Sequence, residues 1–154
     1  MSLRDQFHQA LKDAMRARDQ KRVSTLRLML AALKDRDIAN RSEESREGIG
    51  DDEILLLLAK MIKQREESAA AFDAGGRPEL AASEREEITI IREFQPAQMG
   101  ADEIHRASEA AIAEAGANAP KDMGKVMAVL KARYAGRMDF SQAAVLVKNL
   151  LAPE

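Results

Sequence analysis

The chain has 154 residues, 45% of them hydrophobic, and a formal net charge of −2. That length makes one medium domain or two small ones, and the apolar content excludes a disordered chain. With no cysteine, disulfides, thiol catalysis and Cys-ligated zinc are excluded together. Aromatics make up only 3%, so the core must come from Leu, Ile, Ala and eight Met, a set suited to helices.

Ser2 predicts the cap of a first helix, with Asp5 as a partial capping box. Leu3, Phe7, Leu11 and Ala14 then share a face. A second helix is expected over roughly Lys21 to Asn40, with Val23, Leu26, Leu30 and Leu33 inward and Arg22, Lys34 and Arg36 outward. Arg41 to Gly50 is polar and glycine-ended and reads as a mobile loop. Asp51 or Asp52 is the expected cap of a third helix, with Ile54, Leu58, Met61, Arg65, Ala69 and Phe72 on one face. Gly75 and Gly76 stop it, and Pro78 opens a fourth helix running to about Phe94. Its inward face is Leu80, Glu84, Glu87, Ile91 and Phe94.

Periodicity breaks at Gln95 to Gly100, which predicts a boundary between a domain over 1–95 and a second over 100–152. A fifth helix over about Asp102 to Ala115 carries Ile104, Ala107, Ala111 and Ile112 inward, and Gly116 ends it. Pro120 to Gly136, read as one helix, puts Met123, Val126, Met127, Leu130 and Tyr134 on one face. Lys121 and Lys125 point away from it, beside a stripe of small residues, Gly124, Ala128 and Ala132. Lys131 and Arg133 flank the two sides, and Arg137 follows the terminating Gly136. Such a front lets a sugar–phosphate backbone approach closely, and the cations supply phosphate contacts. The same spacing also fits a helix packed on two faces whose lysines are merely solvated. Asp139 predicts the cap of a last helix, with Phe140, Ala144, Val147 and Leu151 inward. The expected fold is all-α: an N-terminal four-helix domain and a small C-terminal three-helix domain.

The charge is uneven. From Lys121 onward six cations stand against three anions, leaving +3 there and −5 before it. Arg65, Glu84 and Glu87 sit on otherwise apolar faces of two helices joined by a Gly-Gly connection. The simplest account is a structural ion pair of Arg65 with one or both glutamates. The functional alternative is a carboxylate acid/base pair or a diiron-type metal site, for which the first two helices offer no inward ligands. No metal and no cofactor is expected. Apolar runs such as Ile54 to Ala59 are too short to span a membrane, and the N-terminus has no apolar signal core. The expected location is the cytoplasm.

Several short motifs stand in a recognisable order. They are Ser24-Thr25-Leu26-Arg27-Leu28, then Lys63-Gln64-Arg65-Glu66-Glu67-Ser68, then Phe72 and Gly76-Arg77-Pro78-Glu79-Leu80. Glu84, Glu87, Pro96, Gln98, Met123-Gly124-Lys125-Val126-Met127 and Gly136-Arg137 follow. In this order the chain resembles the YqeY-like proteins of the GatB/YqeY group along essentially its full length. Gln95, where Leu is expected, and Phe140-Ser141, in place of Gly-Lys, depart from the pattern. The resemblance implies an all-α protein whose C-terminal unit looks like the tail domain of the amidotransferase B subunit, which touches tRNA. It also carries an association with glutamine-dependent tRNA amidation, a carbon–nitrogen ligase reaction. The residues argue against intrinsic activity: there is no thiol, no Gly/Ser-rich amidase stretch, and no GxxxxGK[ST] or GxGxxG loop. His8 and His105 fall on helix surfaces of different domains. Two functions remain: an accessory module that binds tRNA or other structured RNA weakly, or a helical module that docks on a protein partner, such as a tRNA-linked enzyme.

Overall fold

In the computed structural model, residues 1–42 and 45–152 are described. They form seven α-helices and one short 3₁₀ turn, with no strand among them. The helices are α1 (Leu3–Ala17), α2 (Gln20–Ala39), α3 (Asp51–Ala74), α4 (Pro78–Arg92), α5 (Ala101–Ala115), α6 (Met123–Tyr134) and α7 (Phe140–Leu151). The chain divides into two compact units, Met1–Gln95 and Pro96–Glu154.

The N-terminal unit is a four-helix assembly. Ser2 caps α1 by accepting from the Asp5 N–H. Arg18 ends α1 in the left-handed conformation, φ 57°, and Asp19 at once caps α2 through the Arg22 N–H. The two helices therefore fold back on each other as an αα-hairpin. Gly75 ends α3, Gly76 takes a φ of 73°, and Pro78 opens α4. Helices α3 and α4 pack as a second hairpin, and α2 touches both of them. Leu3, Phe7, Leu26, Met29, Leu33, Ile54, Leu58, Met61, Ile88 and Ile91 make the shared core. Phe7 meets Phe94 edge to face, with ring centroids 5.1 Å apart.

Several local expectations change here. Met29 and Thr25, not Val23 and Leu30, are the fully buried partners of Leu26 and Leu33. Neither Asp51 nor Asp52 caps α3; Gly50 does, and the Asp51 carboxylate instead accepts from the Leu3 N–H of α1 at 3.2 Å. Helix α4 ends at Arg92 and turns Ala81, Ile88 and Ile91 inward, which leaves Leu80 exposed. In the stretch predicted to be a mobile loop, Glu43 and Glu44 lie outside the described residues. Its far end is anchored: Ile49 is buried, its N–H donates to Asp37, and its carbonyl accepts from Arg4. Arg4 also bonds both Asp37 oxygens, at 2.6 and 3.0 Å, and thereby holds the Asp37 carboxyl below its usual range.

The C-terminal unit packs α5, α6 and α7 against one another in pairs. Ile104, Ala107, Ala111, Val126, Leu130, Met138, Ala143, Val147 and Leu151 form its core. Ala143, rather than Ala144, is the buried alanine of α7. Asp139 caps α7 by accepting from the Ser141 and Gln142 N–H groups. The segment before α5 belongs to this unit: Gln98 Nε2 donates to the Gly136 carbonyl at 2.7 Å, and the Met99 N–H to the Arg137 carbonyl at 2.9 Å.

Candidate nucleic-acid interface

The α6 segment follows from its sequence in two steps. Pro120 fixes a 3₁₀ turn over Pro120–Asp122, and the Asp122 carboxylate accepts from the Asn118 N–H. The α-helix starts only at Met123. Lys121 thus stands on the turn before the helix, not on the helical face with Lys125, because the proline tightens that first turn. Past Met123 the 3.6-residue period holds. Val126 and Leu130 are fully buried, while Met123, Met127 and Tyr134 are half-buried beside them.

The opposite face is open. Gly124, Lys125, Ala128, Lys131, Ala132 and Arg133 are all exposed, as are Lys121 and Arg137. A Cβ added at Gly124 would meet nothing within 4 Å. The small residues therefore do not serve a close helix–helix contact within this unit, as packing on two faces would require. Their effect is a low surface between lysines.

The cations differ in their freedom. Arg133 is held by Glu114, at 2.9–3.0 Å, which raises its affinity for the proton further. Arg137 lies 6.0 Å from the centre of the Tyr134 ring, a cation–π distance. Among the described residues no ion pair holds Lys121, Lys125 or Lys131. Lys125 and Lys131 on the face and Lys121 on the turn before it thus carry unneutralised charge, as does Arg137 beside Tyr134.

The second constellation lies in the N-terminal unit. Arg65 Nε donates to Glu87 at 2.9 Å, and a guanidinium N–H of Arg65 to the Met61 carbonyl at 3.2 Å. Lys21, which the sequence pattern did not single out, stands 3.5 Å from the other Glu87 oxygen and donates to Ser83 Oγ at 2.6 Å. Arg65 does not reach Glu84, one turn earlier on α4; its two bonds go elsewhere. The arrangement ties α2, α3 and α4 together. No group of three or more His, Asp or Glu able to hold a metal occurs among the described residues. His8 is exposed, and His105 pairs with Glu109 along α5.

These features belong to an all-helical protein with a low, lysine-bearing face and a structural ion-pair clasp. The sequence profile of the family described as Yqey-like protein matches residues 4–151, and the chain belongs to that family. It is also similar to Altered inheritance of mitochondria protein 41, mitochondrial, of three fungi. The Kluyveromyces lactis protein is 35% identical over 91 residues, 58% of this chain and 46% of the relative. The Saccharomyces cerevisiae protein is 35% identical over 86 residues, 54% and 43% of the two chains. The Eremothecium gossypii protein is 32% identical over 91 residues, again 58% and 46%. The match thus spans less than half the length of these relatives. Their names place those proteins in mitochondria. In the present chain, no helix among the described residues is long and apolar enough to cross a membrane.

Proposed function

We propose that this chain is an accessory RNA-binding protein of the cytoplasm, with tRNA as its first ligand and α6 as its contact. The observation that carries the reading is Gly124: it is exposed, its Cβ position is empty, and unneutralised lysines flank it. A phosphate backbone can lie close to such a surface, with Lys121, Lys125 and Lys131 as point charges and Ala128 as low ground. Arg133 and Arg137 stand at the edges, partly committed to Glu114 and Tyr134. Recognition is of shape and phosphate, because the face offers no aromatic platform on which bases could stack. In a tRNA amidotransferase system the chain would hold RNA while separate parts do the chemistry.

Binding is tested by fluorescence anisotropy with labelled tRNA over a salt series. Three phosphate contacts give a slope of about −2 to −3 in log K against log salt and affinity on the order of micromolar or weaker. Lys121→Glu with Lys125→Glu should abolish binding and leave the Met123–Leu130 core intact. Unchanged binding in that variant would refute the α6 assignment. A second reading, docking of the N-terminal helices on a protein, is favoured by an uncovered apolar trough between α1 and α2.

A further inference from the structure

Helix α2 is apolar on two sides. Leu26, Met29 and Leu33 enter the core, while elsewhere on the helix Leu28 is 47% exposed and Val23 only half-buried. Apolar side chains clustered on a second side of a surface helix mark a surface that something can cover. Here Val23 and Leu28 meet Met15 of α1, itself 52% exposed, in an open trough of about 700 Å³.

The rim of the trough is of one sign. Arg18 and Arg27 line it with Ser24 and Gln20, and no carboxylate does. The nearby carboxylates are engaged: Asp13 accepts from Gln9 and pairs with Arg16, and Asp19 caps α2. Among the described residues no ion pair holds Arg18 or Arg27. Residues 1–42, which include both helices that form the trough, carry ten Lys and Arg against five Asp and Glu. Arg18 also sits at φ 57°, a left-handed helix end where glycine is at ease and arginine is not. The rim cation is thus kept at a conformational cost.

We propose that this trough docks an acidic amphipathic helix of a protein partner. The partner's apolar side chains lie on Met15, Val23 and Leu28, and its carboxylates pair with Arg18 and Arg27. The inference deepens the protein-docking reading of the N-terminal helices and does not depend on RNA binding by α6. The floor favours a helix over RNA, because bases need aromatic rings to stack on and the trough has none. Its openness favours a helix over a small ligand, which would stay largely solvated there, whereas a helix laid along a groove buries a continuous stripe.

The test selects a phage-displayed library of helical peptides with randomised surface positions against the full chain. The winners should carry apolar residues at i, i+3, i+4 and i+7 flanked by Asp and Glu. As synthetic peptides they should bind Arg18→Gly with Arg27→Glu roughly tenfold more weakly than wild type. Arg18→Gly suits the left-handed turn, so this variant should keep the wild-type circular dichroism and melt no lower than wild type. Lys121→Glu with Lys125→Glu should bind the peptides normally, which separates this result from the fate of the RNA reading. Basic winners, no winners, or peptides indifferent to the Arg18 and Arg27 changes would overturn the proposal. So would tRNA losing affinity for the same variant, or wild-type self-association that the variant abolishes.

Discussion

Arg65→Ala puts a number on the clasp in the N-terminal unit. The substitution removes the 2.9 Å bond to Glu87 and the bond to the Met61 carbonyl. Breaking a fully buried pair from one side costs about 3–5 kcal/mol, while an exposed pair contributes about 0–1 kcal/mol. The Arg65 and Glu87 side chains are 15% and 16% exposed, and Lys21 remains 3.5 Å from the stranded carboxylate. The cost should therefore fall between the two limits, at about 2 kcal/mol. Glu87→Ala leaves two cations without their carboxylate and should cost at least as much. Glu84→Ala, which removes no partner of Arg65, should change little. In a unit of this size 2 kcal/mol lowers the midpoint by roughly 8–16 °C. Far-UV circular dichroism follows the unfolding of the whole chain. Fluorescence of Tyr134, the single tyrosine of a chain without tryptophan, follows the C-terminal unit alone. The dichroism midpoint should fall while the tyrosine midpoint stays. A fall within about 2 °C would show that the pair contributes no more than a solvated one, and the clasp argument would fail.

Three further outcomes follow from particular side chains. Asp37 is held below its usual range by Arg4, so its contribution is complete above the unfolded carboxylate value of about 3.9 and drains away below it. Asp37→Asn should flatten the dependence of stability on pH between about 5 and 2, and an unaltered acid limb in urea titrations would contradict this. Thr25 is fully buried with an unpartnered hydroxyl, so Thr25→Val should be neutral or stabilise by up to about 1 kcal/mol, and a clear loss of stability would reveal a hidden partner. The purified chain should form no amidated product from misacylated tRNA, glutamine and ATP; turnover above a no-protein control would overturn the argument from its missing thiol and nucleotide loops.

Helix existence was legible because local signals agree with packing. Ser2 and Asp139 cap where their sequence pattern predicts, and Gly75, Gly76 and Gly116 mark helix ends. The family, too, was legible in the order of its motifs. What the sequence could not carry was partnership across distance. Asp51 looks like the cap of its own helix, yet its carboxylate is taken by Leu3, 48 residues away. Lys21 looks like a solvated lysine, yet it completes the Glu87 clasp. Leu80 follows the apolar period of α4, but the helix is rotated so that Ala81 goes inward. Of the candidate face, the residue types and the period were readable. Whether Gly124 met solvent or a neighbouring helix was not, because a small-residue stripe serves both.

That distinction bears on why the face has the composition it has. Glycine inside a helix costs about 1 kcal/mol relative to alanine, through chain entropy lost on folding. A helix interior tolerates it where another backbone must come close, and within the C-terminal unit nothing does. Gly124 is the second residue of α6, in its first turn, where the cost is only a fraction of that. It is still uncompensated inside the unit, and departures from local preference gather where function needs them. Two substitutions divide the explanations. Gly124→Ala should stabilise the C-terminal unit by up to about 0.5 kcal/mol, since the added methyl meets open space but the position lies in the first turn of α6. Gly124→Leu should leave the fold at least as stable and yet weaken tRNA binding, by holding a phosphate backbone off Lys121 and Lys125. If Gly124→Leu bound tRNA as tightly as wild type, close approach would not be the reason for the glycine, and the lysines alone would have to carry the contact.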